Sequence, residues 1–146
     1  MTVEPHRSSR PTGVRLLAAA LAVQGVSGLG GGGALLLDPS GAAIGLPVQL
    51  LEGSPFGSYL IPGLVLFAAL GAAPLVVLWR VWTRRRWSPP AALLVGVALV
   101  VWIVVQILVV GYRADPPLQG VFGALGLGIV ALALLPSVRR VGGVGR

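Results

Sequence analysis

Asp38 and Glu52 are two of only four carboxylates in the chain. Both fall in the stretch 37–63, L-D-P-S-G-A-A-I-G-L-P-V-Q-L-L-E-G-S-P-F-G-S-Y-L-I-P-G. Two carboxylates can do general acid–base work when the fold fixes their separation. Here they stand in a loop with nothing in the spacing to hold them together. Capping a turn, or pairing with Arg113, is the simpler role for each. The single histidine, His6, sits in a polar tail, and there is no cysteine. Histidine-based proton transfer, a His/Cys metal site, disulfides and thiol catalysis therefore have no material. The run G-L-G-G-G-G at 28–33 lacks the following Lys-Ser/Thr of a phosphate-cradling loop. No catalytic residue, cofactor or metal is read from these residues.

Polar side chains inside apolar runs are the next candidates. Gln24 and Gln106 are the two, offset along the helix axes by about 9 Å at 1.5 Å per residue. That offset is long for a direct bond between them. Trp102 and Gln106 are four apart and share a helical face. Together they would line a groove in the outer half of the chain, with Asp38, Glu52, Tyr59 and Arg113 at its mouth. A lipid or apolar small molecule suits such a site. The plainer reading is packing. Gly25, Gly28 and Gly32, and Gly120, Gly123 and Gly126, form small-residue stripes that let helix backbones approach. Gln106 would then be interhelical glue worth about 0.6 kcal/mol.

The elements that must position these residues are apolar and long. Apolar residues make up 55% of the 146, and charged ones 10%, against about 25% in ordinary soluble domains. A soluble fold of this size leaves too much surface wet to hide so much hydrocarbon. Four apolar segments run about 14–37, 60–81, 91–112 and 118–135. At 1.5 Å per residue each is roughly 27–36 Å long, matching a hydrocarbon core of about 30 Å. In lipid such spans must be helical, because an open strand would leave its backbone unpaired. The expected fold is all-α, an integral membrane four-helix bundle. A cleaved signal peptide is disfavoured, because the first apolar run is much longer than a signal core.

All eleven basic residues are arginine. Ten flank one side of the spans: Arg7, Arg10 and Arg15; Arg80, Arg84, Arg85 and Arg86; and Arg139, Arg140 and Arg146. Only Arg113 falls on the other. That bias places both termini in the cytoplasm and the protein in the cell membrane. Trp79, Trp82 and Trp87 would belt the inner interface, and Phe56, Tyr59 and Tyr112 the outer one. Short basic clusters beside apolar spans do not make a nucleic-acid face.

The polar tail covers 1–13, the membrane domain 14–135 and the basic tail 136–146. Between the first two spans, 38–59 forms an outer cap. Within it, 46–53 reads as a short interfacial helix with Pro47 in its first turn. Ser88 and Asp115 read as N-caps for the third and fourth spans, with Pro89 and Pro116 just inside. Pro74 reads as a kink in the second span.

L-L-D-P-S-G (36–41), L-L-E-G-S-P-F (50–56), L-I-P-G (60–63) and W-I-V-V-Q-I (102–107) resemble a family of small bacterial four-helix membrane proteins with no established function. The resemblance covers roughly residues 16–135. It implies the fold and membrane location only. The helix count is also similar to that of the DoxX-like and EXPERA-type proteins, whose functional residues are not present. The expected role is non-enzymatic binding or accessory work for a lipid, an apolar small molecule or a membrane partner, in which a second copy would also serve. An enzyme acting on an apolar substrate, with Glu52 and Asp38 as its acids, is the alternative. An oligomeric small-solute channel is the third reading.

Overall fold

The computed structural model describes residues 10–83, 85 and 87–141, and among these there are helices and no strand. Helix α1 runs Thr12–Leu37. Helices α2 (Leu60–Phe67) and α3 (Ala73–Trp82) form one rod through a π-helical turn at Ala68–Ala72. Helix α4 spans Ser88–Val110, α5 spans Leu118–Leu134, and a short α6 covers Pro136–Val141. His6, Arg7, Arg84, Arg86 and Arg146 lie outside the described residues.

Three rods, Thr12–Leu37, Leu60–Trp82 and Ser88–Val110, are long and apolar enough to cross a membrane. The fourth apolar helix, α5, has 17 residues, roughly 26 Å at 1.5 Å each. Local chemistry sets the ends. Gly111 adopts φ 75° and donates its N–H to the Ile107 carbonyl, a left-handed stop that glycine takes without a Cβ penalty. The third rod therefore covers Ser88–Val110 rather than 91–112, and Tyr112 lies beyond it.

The two expected side-chain caps are not formed. Ser88 is already helical, and its hydroxyl donates back to the Arg85 carbonyl at 2.7 Å. A cap at Ser88 would serve the N–H groups two or three residues on, and Pro90 has none. Helix α5 begins at Leu118 instead of Pro116, with Pro117 before it and no side-chain cap. Gln119 ties down that link in place of Asp115. Between α1 and α2 the expected short helix is a single 3₁₀ turn, Val48–Leu51, with Pro47 preceding it. Another 3₁₀ turn covers Ala42–Ile44.

Helix α1 packs along the α2–α3 rod and against α5, α3 packs on α4, and α4 on α5, closing a ring. Leu17, Leu21, Leu70, Leu99 and Ile129 fill its centre. Val138 of α6 joins this core, so part of the basic tail folds back onto the helices. A smaller cluster of Leu35, Leu51 and Tyr59, flanked by Leu46, Val48, Phe56 and Val109, seats the cap. Outward, the helices are as apolar as within: Leu94 is 70% and Leu108 79% exposed.

The glycine stripe of α1 faces the α2–α3 rod. A Cβ on Gly28 would collide with the Leu70 carbonyl, and one on Gly32 with the Phe67 backbone. From the rod, a Cβ on Gly71 would stand 2.7 Å from the Leu29 nitrogen. Backbones touch here because both helices lack side chains at the crossing. In α5 only Gly126 meets a tight crossing, 3.3 Å from the Gly96 carbonyl. Gly120 and Gly123 make ordinary contacts, with Tyr112 and Ile103.

Candidate functional site

Among the described residues the most deeply buried polar side chain is Gln24, 1% exposed in the middle of α1. Its Nε2 donates to the Leu70 carbonyl at 2.9 Å. Leu70 lies in the π turn, and Pro74 follows four residues later. In an α-helix the backbone N–H of residue 74 would serve that carbonyl, and proline has none. Gln24 supplies the missing donor from the neighbouring helix, reached because Gly28 and Gly71 bring the backbones together. The π turn at Ala68–Ala72 ends two residues before Pro74, so both irregularities fall at one place in the rod. The Gln24 Oε1 is buried without a partner among the described residues, an acceptor held out of solvent in the protein interior.

At one end of the ring, Asp38 closes α1. Its Oδ1 accepts from the Ser40 hydroxyl at 2.6 Å and the Ser40 N–H at 3.1 Å, and its Oδ2 from the Ala43 N–H at 2.9 Å. The Ser40 hydroxyl, then the Ala43 N–H, hold the carboxyl below its ordinary value of 3.8. These partners are local, so Arg113 is not what stabilises the Asp38 charge.

Tyr59 is buried, not part of an interfacial belt. Its phenol donates to the Pro47 carbonyl at 3.3 Å and its N–H to the Pro39 carbonyl at 2.9 Å. Gly41, at φ 76°, lies against the ring, where a Cβ would stand 2.8 Å from it. Burial pushes the phenol above its ordinary value of 10.0, and the positive charge of Arg113 pulls partly back. Tyr59 is thus a pin through the cap, with Arg113 near enough to be felt.

Asp115 does not cap α5; Gln119, 8% exposed, instead ties the first turn of α5 back to the end of α4. Its Oε1 accepts from the Arg113 N–H at 2.8 Å, and its Nε2 donates to the Gly111 carbonyl at 3.1 Å. A first-turn side chain reaching back to the preceding loop satisfies backbone groups that would otherwise be bare.

Six residues were expected around one groove. Asp38, Tyr59 and Arg113 share the capped end, and Glu52 stands exposed just past the Val48–Leu51 turn. Trp102 and Gln106 are half-buried on α4, with Trp102 packed against the main core. Gln106 takes no part in the hydrogen bonds that glutamines form among the described residues. Those belong to Gln24 and Gln119. Gln24 was within reach of a reading that asks which carbonyls lose donors, since Pro74 flags the Leu70 carbonyl. The Gly111 and Arg113 groups that Gln119 bonds follow instead from the end of α4 at Gly111. Among the described residues no three of His, Cys, Asp or Glu converge as metal ligands. Compared with protein-family models, with curated proteins and with solved structures, the chain matches none.

Proposed function

We propose that the chain is an integral protein of the bacterial cell membrane, a bundle of four crossings with both termini in the cytosol. Its role is non-enzymatic binding or accessory work for a lipid or a membrane partner. One observation carries the membrane reading. In each of the three long rods at most a third of the residues in the most apolar stretch are buried, so their outer faces need an apolar solvent. The fourth helix, though shorter, closes the same ring and returns the chain to the arginine-rich end. Arginine bias favours that end as the cytosolic one.

Gln106 is the best candidate for ligand contact. It is half-buried, shares a face of α4 with Trp102, and lies a turn from Val109, which packs on the cap. In apolar surroundings an amide without a protein partner favours a molecule that brings a donor or acceptor. The test is thermal unfolding of the purified protein across a panel of lipids. A lipid that stabilises the wild type should lose its effect on Gln106→Leu. A shift equal in both proteins would rule out this face as the site.

A further inference from the structure

The end of the ring opposite the cap gathers charge of one sign from three separate stretches of chain. Arg10 and Arg15 enter with the start of α1, Arg80 and Arg85 with the end of α3, and Arg139 and Arg140 with α6. Arg15, Arg80, Arg85, Arg139 and Arg140 are exposed. The three stretches are fastened together. The Arg10 guanidinium lies 3.7 Å above the Trp82 ring and its Nη2 reaches the Trp82 carbonyl at 3.4 Å. Gly13 abuts Ser137 and Val138 of α6 so closely that a Cβ there would stand 3.1 Å from the Ser137 hydroxyl. The carboxylates among the described residues, Asp38, Glu52 and Asp115, all belong to the opposite end.

Trp79, Trp82 and Trp87 stand exposed beside these arginines, and Arg80 lies 6.0 Å from the Trp79 ring. Indoles prefer the depth of lipid headgroups, so they set the guanidinium groups at the level of the phosphates. An arginine stacked on an indole keeps its edge N–H groups for an anion. Flexible lysines would give only a diffuse attraction. Planar guanidinium forks can grip phosphate oxygens two at a time.

We propose that this end is a docking surface for the phosphates of anionic glycerophospholipids in the leaflet it faces. The proposal rests on the membrane reading above, and the test separates the two.

In a Trp102→Phe background the remaining tryptophans, Trp79, Trp82 and Trp87, all belong to this end and serve as native reporters. The protein is reconstituted in phosphatidylcholine vesicles containing either brominated phosphatidylcholine or brominated phosphatidylglycerol, and quenching of tryptophan emission is measured. Phosphatidylglycerol should be preferred several-fold at low salt, with the preference falling towards equality at about 1 M salt. Arg139→Gln and Arg140→Gln change exposed side chains and leave the Arg10–Trp82 contact in place. Each should weaken the preference by about five-fold at most, whereas Arg113→Gln at the other end should leave it unchanged. Equal quenching by both lipids at low salt, or an equal loss from Arg113→Gln, overturns the proposal. Loss of the preference on adding millimolar inorganic phosphate overturns the assignment to lipid. Absence of quenching by either lipid overturns the membrane reading itself.

Discussion

Asp38 and Tyr59 make the capped end sensitive to pH from opposite sides. The folded carboxyl of Asp38 lies below its unfolded value. The stability it contributes is therefore present above that value and is lost as pH falls through the folded one. Thermal unfolding followed from pH 6 down to pH 3 should show a smaller decline for Asp38→Asn than for the wild type. Tyr59 runs the other way. Its phenol is raised, so its contribution is complete below about pH 10 and lost in more alkaline solution. Gln24 offers a sharper test. Gln24→Met leaves the Leu70 carbonyl without a donor and should cost about 1–2 kcal/mol. In a Pro74→Ala background the restored N–H serves that carbonyl, and the same substitution should cost close to nothing. Equal costs in both backgrounds would mean that Gln24 does not stand in for the missing N–H. That polar residues inside apolar runs matter is legible in the sequence. Which of Gln24, Gln106 and Gln119 finds a partner is not, since it depends on which element packs opposite each amide: Pro74 bares a carbonyl, but only the fold sets Gln24 against it.

At the scale of elements, the crossing of α1 with the π turn is among the closest backbone approaches of the described residues. Gly28→Ala puts a methyl into the Leu70 carbonyl and should destabilise the protein by about 1–3 kcal/mol. Gly30, two residues on, has nothing near its missing Cβ. There the same change should be neutral or gain about 0.5–1 kcal/mol from helix propensity. Denaturant unfolding in detergent compares the two directly. Uninterrupted hydropathy makes the apolar rods visible in the sequence. It blurs their ends, because Tyr112 continues the apolar run of α4 after Gly111 has broken the helix. Pro74 announces a disturbance without saying that a π turn precedes it. The stripe at Gly25, Gly28 and Gly32 announces a close neighbour without naming it. The sequence pairs it as readily with Gly120 and Gly123 as with the rod it meets. The cap reads as a helix at 46–53 because apolar spacing carries no information on Tyr59, whose burial holds that segment as a short turn.

For the molecule as a whole, orientation in the membrane can be tested cleanly because the chain has no cysteine. Gly57→Cys lies in the cap, exposed and with open space around its Cβ, and Ser137→Cys lies exposed in α6. A membrane-impermeant thiol reagent added to intact cells, with the outer envelope made permeable, should label Gly57→Cys at once. It should label Ser137→Cys only after lysis. The reverse pattern would invert the arginine-based assignment. The π turn bears on the same architecture in another way. Each helical residue advances the azimuth by about 100°, so a wide turn sets the bearing of everything after it. Removing one alanine from 68–72 would barely alter composition or hydropathy. It would let the wide turn close as an ordinary α-turn and keep Val77 and Val81 on the core. One added alanine there would instead swing α3 by about that angle and carry the Trp82 indole away from the Arg10 guanidinium. The dial that aims the arginine-rich end is thus set some ten residues before it, by a single extra step in the helix.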